Sequence, residues 1–390
     1  MPPGVPVGER PRPHYDPPGL RVGGFLVFPD LDLQEKYDSN IFATQRGERA
    51  DLISTIAPSI DARSDWANHG IDLHADALVA KYADNDREDY IDRTLAAAGH
   101  LDIQNDARVF GEANYRVRHE PRSSPDNPAA SVEPIEYTVY GARVGGEKEF
   151  NRLAFRLESL AERYRFDDGV TPAGLPVDQG GRNRDQIDVR LRSAYELMPL
   201  RQVYLLTAYN RRDYDRTIDA GGFERDSSGV TVGPGVKYDL DGVVLFDLFV
   251  GFRRQDFADR RLPTVNTAVS EAKLIWNVTK LTTLTGQFGR DLSETTIPGA
   301  SSYIISRAGL TADHELLRDV LINAGLGYER DSFEGIQRTD NYYVAGLAAK
   351  YLIDRHLWAS AGYDFRERAS NAAGTDFTEH AVSLRLSTHF

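Results

Sequence analysis

Eleven charged residues carry the chemistry that can be read from this chain: Arg116, Arg118, Arg156, Glu158, Asp188, Arg190, Arg192, Glu196, Asp364, Arg366 and Arg385. They fall at every second position of segments whose alternate residues are mostly apolar. On extended chain such a row projects from one face. Guanidinium forks and carboxylates arrayed this way can select and orient a polar or charged solute, as charged rings do in pores. The same residues can also pair across neighbouring strands and stiffen a wall.

Other chemistry finds little footing. There is no phosphate-binding glycine loop, dinucleotide fingerprint or serine elbow. His314-Glu315 begins like a zinc-protease motif, but the fourth residue on from His314 is Arg318. Asp30, Asp32 and Glu35 could gather around calcium, though a solvated strand face accounts for them. The histidines are scattered. His74 and His100 fall on the charged faces of neighbouring strands, beside Asp72, Asp76 and Asp102. With no cysteine the chain has no disulfide, thiol nucleophile, iron–sulfur cluster or cysteine zinc site. The expectation is a protein that is not an enzyme and holds no cofactor or metal.

The elements that position these rows follow from period-two alternation. From Gln186 to Leu197, Ile187, Val189, Leu191, Tyr195 and Leu197 oppose Gln186, Asp188, Arg190, Arg192 and Glu196. The same pattern runs from Asp106 to Arg118, Asp319 to Glu329, Leu357 to Arg368 and His380 to Phe390. These strands are about twice the usual globular length of roughly 5–6 residues. Their connections alternate in kind. Short turns lie at Asp65 to Gly70, Leu197 to Arg201, Asp239 to Gly242, Asn277 to Lys280, Leu317 to Asp319 and Ile353 to His356. Long polar loops lie at Tyr37 to Ala50, Glu120 to Pro134, Asp167 to Arg184, Arg212 to Arg225, Asp256 to Pro263 and Glu367 to Gly374. Short turns at one end and long loops at the other predict an all-β, transmembrane, antiparallel up-and-down barrel. The spacing gives about 18 strands, with 16 as the alternative. Arg152 to Phe166 changes alternation phase midway, which reads as a bulge or as a misplaced strand boundary.

Composition agrees. The 390 residues carry a formal charge of −13 and 10% aromatics, and no stretch is apolar enough for a spanning helix. The acidic balance argues against nucleic acid. Arginine outnumbers lysine 39 to 7, which suits carboxylate-rich surroundings. In hydrocarbon a sheet must close on itself. The charged face then needs a wet lumen, which a barrel of about 16–18 strands provides. Trp66, Trp276 and Trp358 near short turns, and Tyr37, Tyr82, Tyr90, Tyr115, Tyr164, Tyr209 and Tyr363 toward long loops, read as aromatic girdles. Residues 1–19, rich in proline, read as an extended, mobile periplasmic arm before a barrel over residues 20–390. No targeting signal is visible, and the rest of the chain favours a mature sequence whose signal peptide has been removed.

The run Tyr37-Asp38-Ser39-Asn40-Ile41-Phe42-Ala43-Thr44, after Gly24-Phe25-Leu26-Val27-Phe28-Pro29, resembles the opening hairpin of bacterial outer-membrane proteins of the "putative beta-barrel porin 2" type. The resemblance implies the bacterial outer membrane. It also implies a channel for a polar solute, with exopolysaccharide or capsule export as the associated role. Terminal Phe390 resembles the signal read by the outer-membrane insertion machinery. The partners implied are outer-membrane lipid, lipopolysaccharide, that machinery and a periplasmic polysaccharide-export protein. Two other functions fit the pattern: a general diffusion porin, and a plugged structural barrel whose arm docks a periplasmic partner.

Overall fold

The computed structural model describes residues 5–128 and 130–390. Eighteen long strands follow one another. They are β1 (Phe25–Asp38), β2 (Asp51–Ser64), β3 (Gly70–Tyr82), β4 (Tyr90–Gln104), β5 (Ala107–His119) and β6 (Glu136–Phe150). Then come β7 (Leu153–Phe166), β8 (Arg184–Met198), β9 (Arg201–Tyr214), β10 (Ser227–Leu240), β11 (Val244–Phe257) and β12 (Val265–Trp276). The ring ends with β13 (Thr282–Glu294), β14 (Ser302–Leu317), β15 (Val320–Glu334), β16 (Thr339–Leu352), β17 (Leu357–Ser370) and β18 (Phe377–His389). Each pairs antiparallel with the next, and β1 closes on β18 from Asp30–His389 to Asp38–Ala381. A short strand, Leu20–Val22, pairs with the start of β1 below that closure.

The two faces separate as the alternation requires. Ile187 and Leu191 are exposed on the outside of β8, while Arg192 of the opposite face lies over the Tyr204 ring. Leu95, Leu326 and Leu384 are also outward and exposed, a face that only lipid can cover. Pairing in β7 runs without a register shift on either side, so of the two readings of Arg152 to Phe166 the bulge is ruled out. What changes there is the surroundings. Arg163, near the long-loop end, faces outward beyond the apolar band and pairs with Asp185 and Asp215 at 2.9 and 2.6 Å. Tyr164 and Phe166 turn inward. The irregularities of register lie instead at short-turn ends, between Asp102 and Gln104, Glu196 and Met198, and Glu315 and Leu317.

The girdles need the same correction. Tyr37, Tyr209 and Tyr363 are exposed on the outside, and Tyr115 packs on outward Tyr140 with ring centroids 5.3 Å apart. Tyr82, Tyr90 and Tyr164 lie on the inner face, because their positions share parity with the charged rows. Trp66 and Trp276 are exposed, but Trp358 faces inward. Its indole N–H donates to the carbonyls of Tyr15 and Asp354.

One seam is incomplete. The β12–β13 ladder runs from Trp276–Leu284 only as far as Ser270–Arg290. Beyond it the end of β13 tucks inside the wall. Leu292 packs with Val265, Ile304 and Phe257, and Glu294 reaches inward-facing Arg212 and Tyr214 at 3.1 and 2.8 Å.

Leu191 sits midway along β8 on the lipid face. Leu191→Arg is expected to cost about 2–4 kcal/mol in denaturant titrations of the barrel in vesicles. Asp188→Asn, on the inner face, should stay within about 0.5 kcal/mol. A near-neutral Leu191→Arg would show that this position does not contact lipid.

Candidate functional site

All eleven charged residues singled out in the sequence share the inner face, but they do not form one cluster. Arg116 meets Glu162 at 2.6 Å, and Arg118 donates to Thr94 at 2.5 Å. Arg156 lies between Glu158 and Glu147 at 3.2 and 3.4 Å, with its guanidinium 4.4 Å from the centre of the Phe110 ring. Arg192 sits 4.0 Å from Asp247 and 3.9 Å from the Tyr204 ring. Arg385 bonds Gln34 and lies 3.7 Å from Asp32. Glu196 accepts from the Leu200 amide at the short-turn end, and the Asp364 carboxylate approaches Gly346. Asp188, Arg190 and Arg366 line a common chamber of about 770 Å³.

Charge is unevenly distributed around the lumen. The inner faces of β1–β4 carry Asp30, Asp32, Asp38, Asp51, Asp61, Asp72, Asp76, Asp92 and Asp102, against Lys36 and Arg63. His74 bridges Asp61 and Asp76 at 2.9 and 3.0 Å. The inner faces of β5–β8 carry Arg108, Arg116, Arg118, Arg143, Arg156, Arg184, Arg190 and Arg192, interleaved with glutamates. An acidic sector therefore adjoins an arginine-rich one. Asp30 binds His389 and Glu35 turns outward to Ser54, so Asp30, Asp32 and Glu35 do not converge.

Aromatic rings on the inner face, which the sequence reading missed, surround a cavity of about 350 Å³ next to the chamber. Tyr137, Tyr164, Phe166, Tyr303 and Tyr342 line it with Arg182, Arg184 and Arg366. Guanidiniums lie over these rings: Arg182 over Phe166 at 4.0 Å and Arg184 over Tyr164 at 4.2 Å. Continuing the β7 parity from Glu158 to Glu162, Tyr164 and Phe166 would have revealed two of them.

Both ends of the lumen are narrowed. At the long-loop end, the 120–135 loop leaves β5 and reaches the opposite wall. Asp126 accepts from the Thr295 hydroxyl and the Thr296 amide at 2.8 and 2.9 Å. Arg368 of β17 donates to the Ser123 carbonyl at 3.0 Å, and Arg182 pairs with Glu120 at 2.6 Å. At the short-turn end lies the segment expected as a mobile arm, whose first four residues are outside the described residues. Val7 is fully buried, and its amide donates to Thr283 at 3.0 Å. Arg12 pairs with Glu315 at 3.0 Å, and Arg10 donates to Asn277 at 3.1 Å. Thr283, Glu315 and Trp358 are all inward positions close to short turns, so the arm lies across that mouth.

The Tyr37–Thr44 run builds a turn. Buried Asn40 donates to the carbonyls of Thr44 and Thr378 at 2.8 and 3.0 Å, and its amide N–H donates to Asp38 at 3.0 Å. The description "Putative beta-barrel porin 2" matches residues 12–390. The chain belongs to that family. No curated protein matches the sequence. Among solved structures, Pseudomonas aeruginosa OpdO is similar over 95% of this chain and 98% of its own, with 14% identity and a TM-score of 0.50. A ferric enterobactin receptor mutant of the same organism is similar over 93% of this chain and 80% of its own, with 7% identity and a TM-score of 0.52. At such identities the likeness concerns the fold. This porin-family barrel is an outer-membrane protein, with its short turns on the periplasmic side and its long loops outside.

Two predictions concern the outer loops. Removing the Asp126 carboxylate frees the loop tip, so Asp126→Ala should speed tryptic cleavage after Arg122 about tenfold in vesicle-embedded barrel; an unchanged rate would show that Asp126 does not hold the loop. The second concerns acid. Hydrogen bonds from Arg216 hold Asp178 below the usual carboxylate range, and Arg261 does the same to Asp259. A depressed folded-state value means that each pair stabilises above the ordinary carboxylate pKa and is lost as pH falls through the lowered value. Carboxyl chemical shifts should therefore give both groups titration midpoints below that of an unpaired aspartate, and ordinary midpoints would refute the pairing.

Proposed function

We propose that this porin lets small polar solutes diffuse across the outer membrane. The observation that carries the reading is a two-signed, solvent-facing lumen that the 120–135 loop divides and the arm narrows. The resulting spaces, about 770 and 350 Å³, suit small solutes. A polymer would need an unobstructed bore. The polysaccharide-export role rested on resemblance alone, and neither the family match nor the structural neighbours support it. The diffusion-porin reading uses only the coarse property that these proteins share.

The charge layout favours dipolar solutes, since an acidic sector beside an arginine-rich one orients a solute with separated charges. The arm is placed to limit flux on the periplasmic side.

Liposome swelling with a graded sugar series tests this reading. Pentoses and hexoses should enter readily and tetrasaccharides poorly, with a higher rate once residues 1–18 are deleted. Absence of swelling from both the full chain and the deletion form would exclude a diffusion channel. Loss of secreted polymer on gene deletion would restore the export role.

A further inference from the structure

Arg190 lies on β8 and Arg366 on β17, nine strands apart in an eighteen-strand ring and thus on opposite walls. Both nevertheless line the same chamber. The crossing 120–135 loop and the inward end of β13 narrow the lumen on its outer side.

Neither guanidinium has a carboxylate within 4.0 Å among the described residues. Glu158, opposite Arg190 in register, is engaged by Arg156 at 3.2 Å. Arg366 lies over rings, its guanidinium 5.7 Å from the centre of Tyr342 and 5.8 Å from that of Phe377, and Glu379, opposite it in register on β18, forms no ion pair with it within 4.0 Å. These rings hold the cation in place without neutralising it. Lys273, on the chamber wall between them, likewise has no carboxylate within 4.0 Å among the described residues, Asp247 opposite it in register lying 4.0 Å from Arg192 instead.

The chamber's own carboxylates do not balance these charges. Asp291 is engaged by Arg253 at 2.8 Å and Glu329 by Arg307 at 2.6 Å. Asp188 accepts from Gln186 at 3.0 Å. Setting those ion pairs aside leaves Asp188 and Glu271 against Arg190, Lys273, Arg290 and Arg366, an excess of cations. The aspartates of β1–β4 contribute nothing to the chamber lining. Guanidiniums form their strongest hydrogen bonds with carboxylate and phosphate oxygens, often two at a time.

From this geometry we infer that the chamber between β8 and β17 is a binding site for small solutes bearing a carboxylate or phosphate, held between Arg190 and Arg366. The inference rests on the porin reading and gives it a solute class. An anion entering the chamber replaces the water on two otherwise unpartnered cations. The site therefore favours anions over neutral solutes of equal size.

Two measurements test it. In planar bilayers under a potassium chloride gradient, the arm-deleted barrel should prefer chloride. Arg190→Gln combined with Arg366→Gln should abolish that preference, and Arg254→Gln, on the outer face, should leave it unchanged. Titration of the detergent-solubilised full chain with citrate, and separately with inorganic phosphate, reads the site without conduction. The double variant should bind at least one of them about tenfold more weakly. Arg190→Lys with Arg366→Lys, which keeps the charge, should recover part of the affinity. Citrate or phosphate binding lost in the glutamine variant would uphold the site even if no channel conducts, and would then count only against the porin reading. Equal affinity in wild type and double variant, or a conducting barrel indifferent to chloride, would overturn it.

Discussion

Every backbone donor and acceptor inside a bilayer must find a partner in the protein, and this structure is organised around that constraint. Closing β18 onto β1 removes the last free edge. Where the ladder falters, local devices stand in. Pro58 and Pro234 cannot donate, and the β2–β3 and β10–β11 pairings skip at those residues. Where β12 and β13 part, Arg290 donates to the Ala268 carbonyl at 3.2 Å and to the Ser306 hydroxyl at 2.9 Å. The end of β13 then lies inside, still paired with β14, and just beyond it Thr295 and Thr296 donate to Asp126 of the 120–135 loop.

The same constraint sets the character of the lumen. An apolar exterior of fixed height forces most charge in the spanning region onto the inner face. An ionised group is tolerable there because water reaches it and opposite charges stand two residues or one strand away. The excess of arginine over lysine suits this setting. A guanidinium can pair with a carboxylate edge-on while its plane lies over a ring, as Arg156 does with Glu158 and Phe110. The lumen wall is thus stiffened and charged by the same side chains. Only those left without a partner are available to a solute.

Narrowing comes from chain outside the ladder. The 120–135 loop is long enough to cross the lumen because it is free of strand pairing. It is held at its far end by bonds to β13's inward extension and to Arg368. The N-terminal arm, too rich in proline to join the sheet, instead bonds the inner wall at the other mouth. The two mouths are therefore narrowed by segments outside the strand ladder. Such segments can change without loss of the fold.

Alternation and connection length made the barrel, its strand count and the inner rows legible in the sequence, because side-chain period two is a local property of extended chain. Locality also explains the misreadings. Tyr82, Tyr90, Tyr164 and Trp358 were assigned by nearness to strand ends, whereas parity counted from the charged rows puts them inside. Phase in β7 looked broken because polarity outside the apolar band no longer reports which way a side chain points. Nothing local shows that Asp126 meets Thr295, that Val7 is buried against Thr283, or that Arg190 and Arg366 face one cavity. Those meetings depend on ring closure, which brings together residues more than a hundred positions apart. Which residues could face inward was written in the order of amino acids; which of them share a chamber arose only when the sheet closed.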